Sequence, residues 1–318
     1  MKYPSITVLI TIKNAKDTIK QCIDSLLKLD YPNYRIFVVD AFSNDGTYEI
    51  LKSYGNKIEL HQLKGWAPRA YNWAIDRIKT EYIALIDGDC TVPRNWLKEL
   101  IKGFKSDDIL EVLGFCATPK NVSKLQKIIG ADLEDRFKHL PKYPSRAPTM
   151  NVIFKTETAK KLKFDESLRV GYDTDFSFRL TKLGKIYYNP KAVIYHYHRA
   201  TWKNYFKQQY ITATMMPKLY SKHKSKSKGD PITKSTMIIQ PFLSYLGILG
   251  LILYFLTSQF LAFAISMFLI LLFLFIVDTI RLSKNLSDVF WLFAIFIVRN
   301  VAWSIGLIKG IISYLIGR

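Results

Sequence analysis

The chain has 318 residues, of which 49% are hydrophobic, and its formal net charge is +20. A chain of this length can bury one sizeable domain and carry a further region. The three cysteines, Cys22, Cys90 and Cys116, are odd in number and show no paired spacing. This pattern excludes a disulfide framework and indicates a reducing compartment. The positive charge fits an anionic membrane surface, phosphorylated ligands or nucleic acid.

The first 90 residues alternate between strand and helix patterns. Apolar, β-rich runs predict strands at 5–12, 34–40, 57–63 and 81–87, and helical spacing predicts helices at 18–29, 46–55 and 67–78. This β-α-β order predicts a mostly parallel sheet covered by helices, which is an α/β fold. Ligands of such sheets bind beyond the carboxyl ends of the strands, where Thr11 to Asn14, Asp40 and Asp87 converge.

The second part of this domain is less regular. We predict helices at 95–104, 123–138 and 172–184, strands at 109–117 and 185–199, and a strand entering a helix at 152–162. The proline-containing stretch 139–150 is either an ordered loop or a mobile lid. The aromatic and basic segment 202–220 is either a surface helix or an interfacial membrane helix, and we favour the latter because of its position.

The C-terminal part contains three apolar stretches, at about 237–256, 260–280 and 289–316. The first two are long enough to cross about 30 Å of hydrocarbon. The third contains Arg299 and Asn300, so it either spans the membrane or breaks near Arg299. The Lys-rich segment 218–234 is expected to attract anionic lipids and to lie on the cytoplasmic side, which predicts a multi-pass protein of the cell membrane. "MKYPSITVLITI" reads as a strand and not as a secretory signal.

The stretch Asp87-Gly88-Asp89 follows a predicted strand. Two aspartates separated by one residue at a strand end can both reach a single cation, and Mg²⁺ and Mn²⁺ prefer oxygen ligands. An acid-rich turn without a metal would have the same sequence. The pattern therefore indicates a metal site only in combination with the other motifs of the domain. Asp173 lies at a predicted helix start, where acids are favoured in any case. His196 and His198 alternate on a strand and point to the same face.

Six motifs occur in an order that resembles the family 2 glycosyltransferases of GT-A fold: "VLITIKN", "VVDAFSNDGT", "KGWAPRAYNWAI", "YIALIDGDC", "FDESLRVGYDTDFSFRLTKLGK" and "VIYHYHR". The resemblance covers about residues 4–200, and the C-terminal tail is similar to that of the membrane-anchored members. It implies a GT-A catalytic domain at 1–200, an interfacial helix and basic linker at 201–235, and a transmembrane region at 236–318.

The resemblance also implies roles for individual residues. Asp173 would be the general base, and Asp89, Asp87 and His196 would hold Mn²⁺ or Mg²⁺. The nucleotide sugar, with UDP or GDP as its nucleotide, would lie against Thr11, Lys13, Asn14, Asp40, Gly65, Arg69, Asn72, Asp87 and Gly88. Two positions depart from the family pattern: Ala41 stands where a second Asp is common, and Tyr172 replaces a Glu.

The function implied is metal-dependent, inverting transfer of one sugar to a hydroxyl of a membrane-associated acceptor, such as a polyprenyl-linked glycan. A general base at Asp173 favours a hydroxyl over a phosphate acceptor, because a phosphate is already anionic. A polyprenyl-phosphate sugar synthase, a processive polysaccharide synthase and an inactive nucleotide-binding membrane scaffold are the alternatives. We expect no nucleic-acid partner. The positive charge is the only feature of the sequence that would support one.

Overall fold

The computed structural model describes residues 3–317, which form two compact units. The N-terminal unit comprises the chain up to Val122 together with Arg136–His198. The C-terminal unit comprises Ser123–Asp135 together with the chain from Arg199 onward. A short segment that lies inside the predicted 1–200 domain therefore packs with the C-terminal helices.

The N-terminal unit is built on one eight-stranded sheet. Its strands are β1 (Ile6–Ile12), β2 (Tyr34–Asp40), β3 (Glu59–Gln62), β4 (Tyr82–Ile86), β5 (Cys90–Thr91), β6 (Ile109–Ala117), β7 (Asn151–Lys155) and β8 (Lys185–His196). Their order in the sheet is β3-β2-β1-β4-β7-β6-β8-β5. The first four strands in this order are parallel to one another, as predicted, and put their carboxyl ends at one edge.

The helices of this unit follow the predicted spacing. They are α1 (Lys16–Leu26), α2 (Thr47–Lys52), α3 (Ala67–Arg77), α4 (Trp96–Ile101), α6 (Thr156–Leu162) and α7 (Tyr172–Leu180), with α5 (Lys124–Lys138) between α4 and α6. In α1 the residues Ile19, Cys22, Ile23 and Leu26 are buried, which is the i, i+3, i+4, i+7 pattern of a helix that covers a sheet.

The sheet is mixed, because β7 runs antiparallel to both β4 and β6. β5 was not predicted, since two residues carry no periodic signal, and it pairs antiparallel with β8. This pairing sets Cys90 directly opposite His196 and so brings the end of β8 to the loop that follows β4. The loop 139–150 makes a backbone hydrogen bond to β8, from Tyr188 N to Lys142 O at 3.0 Å, and the choice between an ordered loop and a mobile lid stays open.

The C-terminal unit is helical. Besides most of α5, it contains α8 (Trp202–Lys222), α9 (Ser235–Leu253), α10 (Gln259–Leu282) and α11 (Leu286–Leu315). The last three are long and apolar enough to cross a membrane, by length and composition. α11 continues without interruption through Arg299, so the break considered there does not occur.

Candidate active site

A candidate metal site lies where β5 meets β8. His196 Nε2 is 3.3 Å from Asp89 Oδ1, and the Cys90 thiol is 3.8 Å from the same oxygen. Asp89, Cys90 and His196 each offer one ligand atom, and these atoms lie within 4.8 Å of one another. Asp89 and His196 were predicted from the sequence as ligands of this site. The third predicted ligand was Asp87, whereas the third member of the group in the structure is Cys90. Metal binding by Asp87 stays a prediction.

The charge of Asp89 controls the protonation of His196. Burial lowers the pKa of His196, but the charge of Asp89 and its hydrogen bond outweigh burial, so the net pKa lies well above the usual value. The ring of His198 packs edge-on against His196, with the ring centres 4.5 Å apart, and its Nε2 is 3.3 Å from Thr118 Oγ1. The two histidines therefore share one face, as the strand period predicts.

Two buried phenols connect the end of β4 with the start of α7. Burial is the main cause that raises the pKa of both Tyr71 and Tyr172. The carboxylates of Asp87 and Asp173 each add to this rise in both residues. The rings of Tyr71 and Tyr172 have their centres 6.0 Å apart, and the charges of Asp87 and Asp173 act on both phenols. That Asp87 and Asp173 serve one site stays a prediction.

Asp173 is positioned by the first turn of α7. The helix begins after Gly171, whose φ of 80° is left-handed and favours glycine. Asp173 Oδ1 accepts hydrogen bonds from the backbone N–H and the hydroxyl of Thr174, at 2.7 and 3.2 Å. Asp175, two residues on, is fully buried and pairs with Arg179 at 2.8 Å. Of the two acids in this motif, Asp175 has a structural contact and Asp173 is only partly buried.

The loops after β1 and β2 are bonded to each other. Asp40 is fully buried, and its carboxylate accepts bonds from Ser43 and from Gln62 Nε2, the latter at 2.9 Å. Asn14, with a left-handed φ of 55°, receives a bond on its side-chain oxygen from Asn44 N at 3.0 Å. Thr11 is the penultimate residue of β1, and Lys13 is the first residue after that strand.

Gly88 has a packing requirement that sequence analysis did not foresee. A Cβ added there would lie 2.3 Å from Ile12 Cδ1, so the residue must be small to let β1 and β4 end side by side. Whether Gly88 also lets a diphosphate approach stays a prediction.

The middle of α3 is bonded to the loop before α7. The Asn72 amide donates to Phe164 O and to Glu166 Oε1, both at 2.9 Å, and its oxygen accepts from Phe164 N at 2.8 Å. Arg69 Cδ lies 3.0 Å from where a Cβ on Gly65 would be. Asn72 thus has a structural function in addition to the predicted nucleotide contact.

Sequence analysis missed Cys90, Tyr71, Tyr172 and Ser43 as members of the site. Tyr172 was noted only as a departure from the family pattern. The one available signal was proximity in sequence, since Cys90 follows Asp89 and Ser43 lies three residues after Asp40. The convergence of Tyr71 and Tyr172 depends on the packing of α3 against α7 and has no local signature.

A Rossmann-like sheet that carries carboxylates at one edge and a histidine, His196, at the end of its last strand in sequence is typical of a GT-A domain. The model of glycosyl transferase family 2 matches residues 7–166, which is half of the chain. The chain therefore belongs to glycosyl transferase family 2, and the resemblance and fold predicted from its motifs are confirmed.

Relatives and structural neighbours extend this comparison. An uncharacterized glycosyltransferase of Rickettsia typhi is 25% identical over 200 residues, which are 60% of this chain and 63% of the relative, so less than two thirds of that protein is spanned. A Methanococcus voltae dolichyl N-acetyl-alpha-D-glucosaminyl phosphate 3-beta-D-2,3-diacetamido-2,3-dideoxy-beta-D-glucuronosyltransferase is 23% identical, over 64% of this chain and 70% of the relative. The mannosyltransferase PcManGT of Pyrobaculum calidifontis, solved with GDP-Man and Mn²⁺, has the same fold: its TM-score is 0.60 at 16% identity, covering 95% of this chain and 88% of that one.

Proposed function

We propose that the protein is an inverting glycosyltransferase that moves one sugar from a nucleoside-diphosphate sugar to a hydroxyl of a membrane-associated acceptor. The observation that carries this proposal is the pair of Tyr71 and Tyr172, whose ring centres lie 6.0 Å apart and on which the charges of Asp87 and Asp173 both act, because it supports a common site for the donor-side and acceptor-side carboxylates. The M. voltae relative, whose name describes a dolichyl-phosphate-linked sugar acceptor, supports a lipid-linked substrate.

The metal-ligand atoms offered at β5 and β8 fit Mn²⁺ better than Mg²⁺. Asp89 offers oxygen and His196 offers nitrogen, and Mn²⁺ accepts such a mixed set, whereas Mg²⁺ prefers oxygen throughout. When bound, the ion would supply positive charge against the leaving diphosphate. The Asp89–His196 pair must release the proton on the imidazole before it can act as a ligand, so metal binding should weaken at low pH.

Asp173 would remove the proton from the acceptor hydroxyl. Both of its hydrogen bonds to Thr174 fall on Oδ1, so we assign Oδ2 to the acceptor. The hydroxyl oxygen attacks the anomeric carbon as its proton passes to Asp173, and the nucleoside diphosphate leaves from the opposite face. This geometry inverts the anomeric centre. The buried phenols of Tyr71 and Tyr172 keep their protons and would exclude water beside the reacting groups.

The membrane assignment rests on the C-terminal helices and on charge. Three apolar helices support attachment to the cell membrane, and the basic segment 218–234 supports a cytoplasmic catalytic unit that contacts anionic lipids. An acceptor held in the bilayer would then meet the enzyme at the membrane surface.

Two substitutions test the site. Asp173→Asn should lower turnover by about 10²–10⁴-fold, the typical contribution of a general base, while donor binding is kept. Asp89→Ala should abolish the Mn²⁺-dependent part of the thermal shift given by UDP- or GDP-sugars. Asp107→Asn, at an exposed carboxylate, is the matched control.

The outcomes separate the candidate functions. Normal turnover by Asp173→Asn would remove the base assignment and favour a phosphate acceptor. Absence of stabilisation by any nucleotide sugar would contradict the donor site. Donor binding by the parent chain without transfer or hydrolysis would support the inactive scaffold.

A further inference from the structure

The helix α11 has two different faces. Most of its exposed large apolar residues recur at steps of three, four and seven and form one stripe, consisting of Phe290, Ile297, Val301, Ile305, Ile308, Ile312 and Leu315, while Leu286, Ile311 and Tyr314 are also exposed. The opposite face is buried and includes the charged or polar residues Asp288, Arg299 and Asn300. Half of the apolar window of α11 is buried in the structure, compared with 17% for α10.

The buried face of α11 is covered along most of its length by α8. Trp202 stacks on Trp291, with the ring centres 5.6 Å apart, and Trp303 Nε1 donates to Gln209 Oε1 at 3.0 Å. A Cβ on Gly310 would lie 2.3 Å from Thr214 O, so the two backbones approach closely there. The α8 residues in these contacts, from Trp202 to Thr214, extend over about 18 Å at 1.5 Å per residue, so α8 accompanies α11 over about that length.

The first half of α11 is also covered by α5. Lys124 pairs with Asp288, and Arg299 Nη1 lies 3.0 Å from Asp132 Oδ2. The apolar residues Leu125 and Ile128 of α5 join a core that includes residues of α11. α5 ends in the sequence "DLEDRFK", which is rich in charge.

These neighbours are difficult to place in hydrocarbon. If α11 crossed the bilayer, α8 with Lys203, Lys207 and Lys218 would have to accompany it over more than half of the hydrocarbon thickness. The helix α10 has no such problem. α10 is buried only at Ala264, Leu271, Phe275 and Thr279 and exposes apolar side chains around the rest of its circumference.

We propose that α11 lies in the plane of the membrane, with its apolar stripe on the boundary between headgroups and acyl chains, and that the chain crosses the bilayer only through α9 and α10. The occupant of the stripe is therefore lipid. This assignment follows from one apolar face, a polar opposite face and direct connection to a membrane hairpin. It also explains why Arg299 is tolerated within an apolar helix, since Arg299 faces Asp132 and away from lipid. The proposal does not depend on the reaction that the enzyme catalyses.

A depth scan in lipid nanodiscs tests the proposal. Nitroxide labels would be attached to single cysteines at Ile297, Ile305 and Ile312, and their exposure to oxygen and to a water-soluble nickel chelate would be compared. The native cysteines are buried, and the unlabelled parent chain gives the background. Labels at Leu261, Leu269 and Ile276 of α10 span the same 15 residues, about 22 Å, and serve as the matched control.

An in-plane α11 predicts equal depth at its three positions and a depth that changes along α10. A depth profile on α11 that matches that on α10 would overturn the proposal. Labelling from one side with an impermeant maleimide gives an independent answer. Ser313→Cys should react on the side of Asn56→Cys, in the N-terminal unit, and opposite to Thr257→Cys, between α9 and α10. Reaction of Ser313→Cys on the side of Thr257→Cys would equally refute the in-plane arrangement.

Discussion

The ion pair between Arg299 and Asp132 gives the sharpest prediction about stability. Its atoms are 3.0 Å apart, and the side chains are only 3% and 12% exposed. Removal of one partner of a buried pair takes away the compensation that this partner gave to the other charge and costs about 3–5 kcal/mol. Arg299→Leu should therefore lower the melting temperature of the protein in detergent by on the order of 10 °C, at about 2–4 °C per kcal/mol.

The double variant separates burial of charge from loss of packing. Asp132→Leu combined with Arg299→Leu should recover most or all of the lost stability, because apolar replacements of a buried pair are often neutral or stabilising by about 1–4 kcal/mol. Lys20→Met is the control, since Lys20 pairs with Asp24 at 2.7 Å but is 69% exposed, and the expected loss is below about 1 kcal/mol. The reasoning fails if Arg299→Leu is as stable as the parent, or if the double variant is weaker than either single variant.

Two further predictions concern the N-terminal unit. Gly88→Ala should cost about 1–3 kcal/mol in unfolding experiments because its Cβ meets Ile12, and a second change, Ile12→Val, should restore part of this loss; no recovery would contradict the packing explanation. Burial, with a smaller contribution from Asp173, raises the pKa of Glu111 well above its usual 4.5. The neutral form is thus favoured in the folded state, so the contribution of Glu111 to stability is fully present below about pH 4.5 and is lost as pH rises through the folded pKa. Glu111→Gln should remove this slope from melting curves recorded between acidic and neutral pH, and an unchanged slope would exclude Glu111 as its source.

Much of the fold could be predicted because its elements have strong local patterns. The strands β1, β2 and β4 are nearly continuous apolar runs, and α1 shows helical spacing, so their positions follow from the sequence. The antiparallel placement of β7 could not be predicted, since strand order depends on contacts between distant residues. β5 is too short for any periodic signal.

The candidate site shows the same division. Asp89 and His196 were predicted together, and the pairing of β5 with β8 brings them within 3.3 Å. Tyr71 and Tyr172, whose pKa values are raised in part by the charges of Asp87 and Asp173, were not predicted as site residues. They come from α3 and α7 and meet only after folding. The amphipathic pattern of α5 likewise does not tell which of two cores its apolar face will join.

The position of α5 in the chain limits how this enzyme can be divided. Both ends of the segment 123–135 continue into the N-terminal unit, while the segment itself belongs to the C-terminal one. The polypeptide therefore passes between the units three times, and one cut cannot release either of them intact. A chain shortened at residue 200 would keep α5 but lose the helices that cover Leu125, Ile128 and Asp132. The segment 123–135 thus belongs with the C-terminal helices, and replacing those helices by others would require replacing α5 as well.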